Sequence, residues 1–169
     1  NSVEKSHMYD RAETIAQGLN QLDLSNLQGN LSDVSSLSYI ALKDKLIKIR
    51  EVNKDVRFIY ILRQKDDDIF FQIDSESADS IDYSPPGQVY EEASPFLKSL
   101  FTEKKGGIEG PQADRWGTWI SALAPLTLPN GEFVIVGIDV VAHAYFQNAI
   151  AYSIIPLIIG LALLILLYS

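Results

Sequence analysis

From Ala149 to Tyr168 the chain carries no charged residue. A run of roughly 20 apolar residues is what an α-helix needs to cross a bilayer, and it is longer than a buried core helix requires. Tyr145, Phe146 and Tyr152 near one end, with Tyr168 at the other, fall where interfacial aromatic belts lie. The sequence therefore predicts a transmembrane helix over residues 143–169. The flank before it, Val140 to Asn148, holds no Lys or Arg. The positive-inside rule places that flank, and what folds before it, outside the cytoplasm. A start at Asn1 instead of Met adds the expectation of a further membrane segment upstream.

What precedes the run has the length of one ordinary domain. With 14 Lys and Arg against 22 Asp and Glu, the net charge is −8. No basic cluster is present to neutralise phosphates, which argues against nucleic acid as a partner. Cysteine is absent, which removes disulfides, thiolate nucleophiles and zinc–thiolate sites. His7 and His143 stand far apart, so a metal site would rest on carboxylates. Asp66, Asp67 and Asp68, with Glu76, Asp79 and Asp82, are the candidates for Ca²⁺ or Mg²⁺, but their spacing matches no EF-hand loop and reads as a solvated acidic turn. No metal or cofactor is expected. Ser121, Asp139 and His143 supply the residue types of a hydrolase triad, yet no nucleophile elbow surrounds Ser121. No enzyme activity is expected of this part of the chain.

Residues 2 to 22 set Tyr9, Ala12, Ile15, Ala16, Leu19 and Leu22 at helical spacing. This amphipathic helix could also pair with its copy in a homodimer. Gly29 and Asn30 break it, and Ser32 or Asp33 caps a second helix that runs to Ile49 and closes at Asn53 to Asp55. At Val56 the period becomes two. Across a turn at Lys65 to Asp68, Phe58, Tyr60, Leu62, Ile69, Phe71 and Ile73 share one face. Ile59, Ile61, Arg63, Phe70, Gln72 and Asp74 share the other. Ser75 to Ser94 has no period, and its tyrosines and prolines favour an ordered lid. Ser94 and Pro95 open a short helix that Lys104, Lys105 and Gly106 end.

Both tryptophans lie between Gly110 and Pro125, a polar aromatic loop that turns into a strand at Trp116. Pro129-Asn130-Gly131-Glu132 is a hairpin turn, and Phe133 to Val140 is the returning strand. A two-residue loop at Asn130 and Gly131 sets Ala122 opposite Asp139 and Ala124 opposite Gly137. Trp119 and Leu123 then join Val134, Val136, Ile138 and Val140 on a face suited to a long helix. Trp116, Thr118, Ile120, Ala122 and Ala124 join Ile135, Gly137 and Asp139 on the other, where small residues beside an aromatic and a carboxylate describe a pocket floor.

This layout resembles the Cache superfamily, the extracytoplasmic PAS-like sensor domains of bacterial membrane receptors. The segments Phe58-Ile59-Tyr60-Ile61-Leu62-Arg63, Pro86-Gly87-Gln88-Val89-Tyr90, Asp114-Arg115-Trp116-Gly117-Thr118-Trp119 and Val136-Gly137-Ile138-Asp139-Val140 look like parts of single-Cache domains from histidine kinases and diguanylate cyclases. The Arg-x-Trp-Tyr core of amino-acid-binding double-Cache domains is not met, since Arg115 and Trp116 are adjacent and Gly117 follows. The resemblance implies an α+β fold with a PAS-like central antiparallel sheet and a long N-terminal helix, followed by a C-terminal transmembrane helix. Residues 1–54 would be its helical region, 55–142 the sheet with its ligand-side loops, and 143–169 the membrane helix. It further implies a homodimeric sensor of a small-molecule ligand in the inner membrane, its domain periplasmic and its output cytoplasmic.

For ligand contact the sheet offers Arg63, Asp74, Trp116, Thr118 and Asp139, and the covering loops offer Tyr83, Tyr90 and Asp114. Arg holds carboxylates bidentately, Trp stacks on a ring or an ammonium, and a carboxylate binds an amine. Trp119 is expected to be structural. A membrane-tethered scaffold using Trp119 and Tyr90 to bind another protein is the competing expectation, with divalent-cation sensing by the acidic loops a further one.

Overall fold

The computed structural model describes residues 2–146. The expected membrane helix therefore lies almost wholly outside the described residues, among which no helix is long and apolar enough to cross a membrane. The chain runs α1 (Ser2–Gly18), α2 (Gln21–Ser25), a 3₁₀ turn at Leu31–Ser35, and α3 (Leu37–Val52). The strands β1 (Val56–Lys65) and β2 (Asp68–Asp74) follow, then α4 (Pro95–Glu103) and the strands β3 (Gly107–Asp114), β4 (Gly117–Thr127) and β5 (Phe133–Val141). All pairings are antiparallel, in the order β2-β1-β5-β4-β3. This is an α+β fold with an N-terminal helix on a five-stranded sheet.

Two helical details depart from expectation. Asn30, not Asp33 or Ser32, caps the 3₁₀ turn, and Asp33 is buried as an acceptor of the Gln28 and Gly29 N–H groups at 2.8 and 2.7 Å. The chain then kinks at Ser36, whose hydroxyl accepts from the Tyr39 N–H and starts α3 afresh. A third hairpin was also hidden: residues 107–114, expected to be loop up to Trp116, form an edge strand. A strand holding Gly110 and Pro111 pairs only at an edge, where a missing N–H breaks no inner ladder.

The sheet separates two apolar clusters. One joins Ala12, Ala16 and Leu19 of α1 and Leu42 and Leu46 of α3 to Ile59, Ile61, Ile73, Ile120, Ala122 and Val136. The other joins Leu97, Leu100 and Phe101 of α4 to Phe58, Tyr60, Leu62, Phe71, Trp119 and Ile135. Since β2 and β3 are opposite edges, residues 75–106 must cross the second face to connect them.

Register decides which residues reach that second face. Ser121 pairs with Asp139 and Leu123 with Gly137, one residue away from the expected pairing. The Gly131 N–H bonds the Leu128 carbonyl at 2.8 Å, and Gly131 has φ +86°. The loop is thus three residues long, Pro129 to Gly131, with glycine in the left-handed position. A two-residue turn of the favoured type would need Asn130 left-handed as well, and among the described residues only Asp66 and Lys104 are non-glycines with positive φ. The slip moves Trp119, Ser121 and Leu123 to the second face and sends Ile120, Ala122 and Ala124 to the helices. A β-bulge in β2 does the same locally. Leu62 pairs with Phe71 but Ile61 pairs with Ile73, so Gln72 is extra, Ile73 faces the helices and Asp74 turns to the second face beside Tyr60.

Candidate functional site

Between the second face and the segment after β2 lies a cleft lined by Phe58, Tyr60, Phe71, Asp74, Asp82, Ser84, Tyr90, Asp114, Trp116 and Asp139. Within it about 20 Å³ is open to the centre of a water molecule. At roughly 10–15 Å³ for one water, the cleft is closed to anything much larger until its cover moves. That cover is well tethered. Gly87 donates to Phe71 O at 2.8 Å, Phe71 to Gln88 O at 2.9 Å and Tyr90 to Ile69 O at 2.8 Å, so the lid lies along the β2 edge.

Aromatic rings form one wall, Tyr60 edge-on to Phe71 at 5.8 Å, Trp116 edge-on to Phe71 at 5.7 Å and Tyr90 tilted against Phe71 at 5.3 Å between centroids. Trp116 reaches it from the two-residue tip of the β3–β4 hairpin, not from within a strand. Tyr60 fills the space over Gly137, where an added Cβ would stand 2.2 Å from its ring. The small residue predicted as pocket floor therefore makes room for protein.

The carboxylates differ in their partners. Asp74 accepts from Lys43 Nζ at 2.6 Å, from the Ser84 N–H at 2.7 Å and from the Glu76 N–H at 3.2 Å. Burial pushes its carboxyl up and the Lys43 ammonium down, each partly offset by the other. Asp82 pairs with Arg57, whose guanidinium also bonds Glu76. Asp114 takes four donors: the Trp116 and Gly117 N–H groups, Trp119 Nε1 at 2.9 Å and the Tyr90 hydroxyl at 3.0 Å. Asp139 accepts from the Tyr60 hydroxyl at 2.9 Å. Burial raises it to about 7, opposed by the Ser121 and Tyr60 hydroxyls and reinforced by the charges of Asp114 and Glu109. Burial first, then nearby carboxylates, holds the Tyr60 and Tyr90 hydroxyls in the donor form.

Of the eight residues singled out in the sequence, Asp74, Tyr90, Asp114, Trp116 and Asp139 converge on this cleft. Arg63 does not. It lies on the helix face, where its guanidinium bonds the Leu27 carbonyl at 3.0 Å and Glu132, tying the β4–β5 turn to the end of α2. Thr118 is exposed, because the turn at Arg115 and Trp116 points it away. Tyr83 stands behind the lining, its hydroxyl 3.0 Å from that of Tyr39 and its ring 4.4 Å from Lys43 Nζ. Trp119, expected against the helices, packs on Phe58 at 5.1 Å on the cleft face. The acidic-loop residues Glu76 and Asp82 are held by arginines, and no metal-holding cluster occurs among the described residues.

No protein-family model matches the chain, and no curated protein matches it in sequence. Among solved structures, the sensory domain of the Campylobacter jejuni chemoreceptor Tlp3 (CcmL) is 14% identical, with a TM-score of 0.49 over 89% of this chain and 60% of that one. The ligand-binding domain of the same receptor in complex with L-valine gives 14% identity and a TM-score of 0.48 over the same shares. The extracellular domain of mmHK1S-Z2, named as a histidine kinase, gives 12% and 0.44 over 82% of this chain and 59% of that one. The chain spans about 60% of the length of those domains.

Five lining residues escaped sequence reading as ligand contacts, Asp82 and Ser84 on the lid among them. Phe58, Tyr60 and Phe71 read as ordinary core, and the alternation that put them on one face was the available signal. Lys43 was silent, because a lysine on an amphipathic helix gives no hint that it reaches a carboxylate 31 positions away.

Proposed function

We propose that the region before the apolar run is an extracytoplasmic small-molecule-sensing input domain of a membrane receptor, with its site under the lid. The observation that carries this reading is the covered cleft, whose lid is tied through Asp74 to α3. Admitting a ligand moves the Ser84 segment, and that motion reaches Lys43 on α3 directly. On the other wall Asp139 sits on β5, the strand that leads toward the apolar run. Two arrangements of the cover thus bias two elements that lead away from the site. Homodimerisation through α1, passage of the signal through a membrane helix and a kinase or cyclase output complete the proposal. Asp74, Tyr90, Asp114, Trp116 and Asp139 are its ligand-facing residues. The scaffold reading is weaker, because Trp119 is buried and Tyr90 is half-buried against the Trp116 ring.

A thermal-shift screen of the chain against amines, amino acids, carboxylates and nucleobases tests the reading. A compound at about 100 times its Kd stabilises by about 2.7 kcal/mol, and Trp116→Ala removes that shift. A screen without any stabilising compound overturns it.

A further inference from the structure

Counter-charges divide the four carboxylates of the cleft two and two. Asp74 is paired with Lys43 and Asp82 with Arg57. Asp114 and Asp139 pair with no Lys or Arg among the described residues. Asp114 is nevertheless held by four donors, three on Oδ1 and one on Oδ2, two of them backbone N–H groups of its own turn. Asp139, 5% exposed, is hydrogen-bonded by hydroxyls only, and the other charges that reach it are the carboxylates of Asp114 and Glu109. A carboxylate taken out of water without a cation is costly unless one arrives.

The surroundings select what can arrive. Phe71, Tyr90 and Trp116 form a contiguous aromatic wall, and ring faces attract an ammonium while repelling an anion. No Lys or Arg lines the cleft. The cations that border it are each spent on a carboxylate: Lys43 on Asp74, Arg57 (over the Phe58 ring) on Asp82, and Arg115 (over the Trp116 ring) on Glu92. An α-amino acid would bring a carboxylate that finds no cation to receive it and faces Asp74 and Asp114 instead.

Resting on the reading of the cleft as a ligand site, we propose that it takes a small organic cation lacking a carboxylate, an alkylammonium whose N–H donates to Asp139 and whose carbons lie against the aromatic wall. The ligand supplies the one charge the site lacks. Asp139 is then the residue that selects for cations, and Trp116 the residue that holds their apolar part.

The chain is titrated with trimethylammonium chloride, with sodium acetate and with glycine, following tryptophan fluorescence and thermal shift at about pH 8, above the value of about 7 to which burial raises the Asp139 carboxyl. Sodium chloride at matched ionic strength is the blank. Both tryptophans report, since Trp116 lines the cleft and Trp119 bonds Asp114. Trimethylammonium is expected to give a saturable change, with acetate and glycine giving none. Asp139→Asn weakens the binding at least about tenfold, and Thr118→Val, on the exposed side, leaves it unchanged. If acetate or glycine binds as well or better, and Trp116→Ala abolishes that binding, the sensor reading stands and the cation assignment falls. Unaltered trimethylammonium binding in Asp139→Asn removes Asp139 from its role. If none of the three probes binds, the cation proposal falls, and the compound screen decides the sensor reading separately.

Discussion

The two faces of the sheet are built from alternate residues of the same strands, yet they follow different rules. The helix face presents Ile59, Ile61, Ile73, Ile120, Val136 and Ile138, β-branched side chains that fill volume and ask for no particular partner. The cleft face presents Phe58, Tyr60, Phe71 and Trp119 interleaved with Asp74, Ser121 and Asp139, each polar group in need of a donor at a fixed place. Apolar burial on one side is of the kind that stabilises any domain, by about 25 cal/mol for each Å². Desolvated carboxylates on the other side work against it. The first face makes a structure affordable in which the second is not optimal for stability, a division expected where function requires unsatisfied charge.

The largest expected effect breaks the helix face. Ile138→Ala removes a fully buried side chain and should cost about 3–4 kcal/mol in urea unfolding while leaving probe affinity unchanged. One residue earlier, Gly137→Ala drives a Cβ into the Tyr60 ring and should cost about 2–3 kcal/mol, but here the trimethylammonium response disappears too, because Tyr60 can no longer hold Asp139. Equal behaviour of these two neighbours would erase the distinction between the faces. Lys43→Met leaves Asp74 buried without its cation and should lose about 2–3 kcal/mol, much of it regained when Asp74→Asn is added; a double variant no better than the single one refutes the pairing.

Asp139→Asn sharpens the comparison through pH. The folded carboxyl is raised to about 7 from an ordinary 3.8. Between those values the folded chain keeps a proton that the unfolded chain has lost, so this group's contribution to stability falls as pH rises and levels off above about 7. Asp74 and Glu109, also raised by burial, slope the same way, so the difference between wild type and variant isolates Asp139. The Asn variant should match wild type near pH 4 and exceed it by about 1–3 kcal/mol near pH 8. Wild-type affinity for the ammonium probe should rise over the same window, because the carboxylate form is the one that pairs. The smallest effect belongs to exposed Thr118→Val, within about 0.5 kcal/mol of wild type by thermal melting.

Sequence periodicity was sufficient for β1 and the first half of β2, and for the inward residues of β5, since alternation survives wherever the ladder is regular. It failed where one residue is added or spent without changing composition. Pro129 lengthened the turn by one, and Gln72 bulged, and each event exchanged the faces of everything beyond it along its strand. Trp116 was placed at the cleft for the wrong reason, as a strand residue, while its true position is the tip of a hairpin whose first strand went unrecognised. Arg63 looked like a ligand clamp because a guanidinium can hold a carboxylate bidentately; the carbonyl oxygens of Leu24 and Leu27, which a linear reading cannot bring near it, explain its burial instead. Asp74 and Asp139 were singled out as carboxylates, but only the fold distinguishes the one with a lysine from the one without.

Asp74 joins three segments of backbone at one carboxylate: α3 through Lys43, the lid through Ser84, and its own strand end through Glu76. If the cleft holds a ligand as proposed, its release would require the Ser84 N–H to let go of the carboxylate that Lys43 also holds. On that reading the junction would set residence time more than affinity. A receptor timed in this way would keep reporting a molecule for a while after it has vanished from the surroundings.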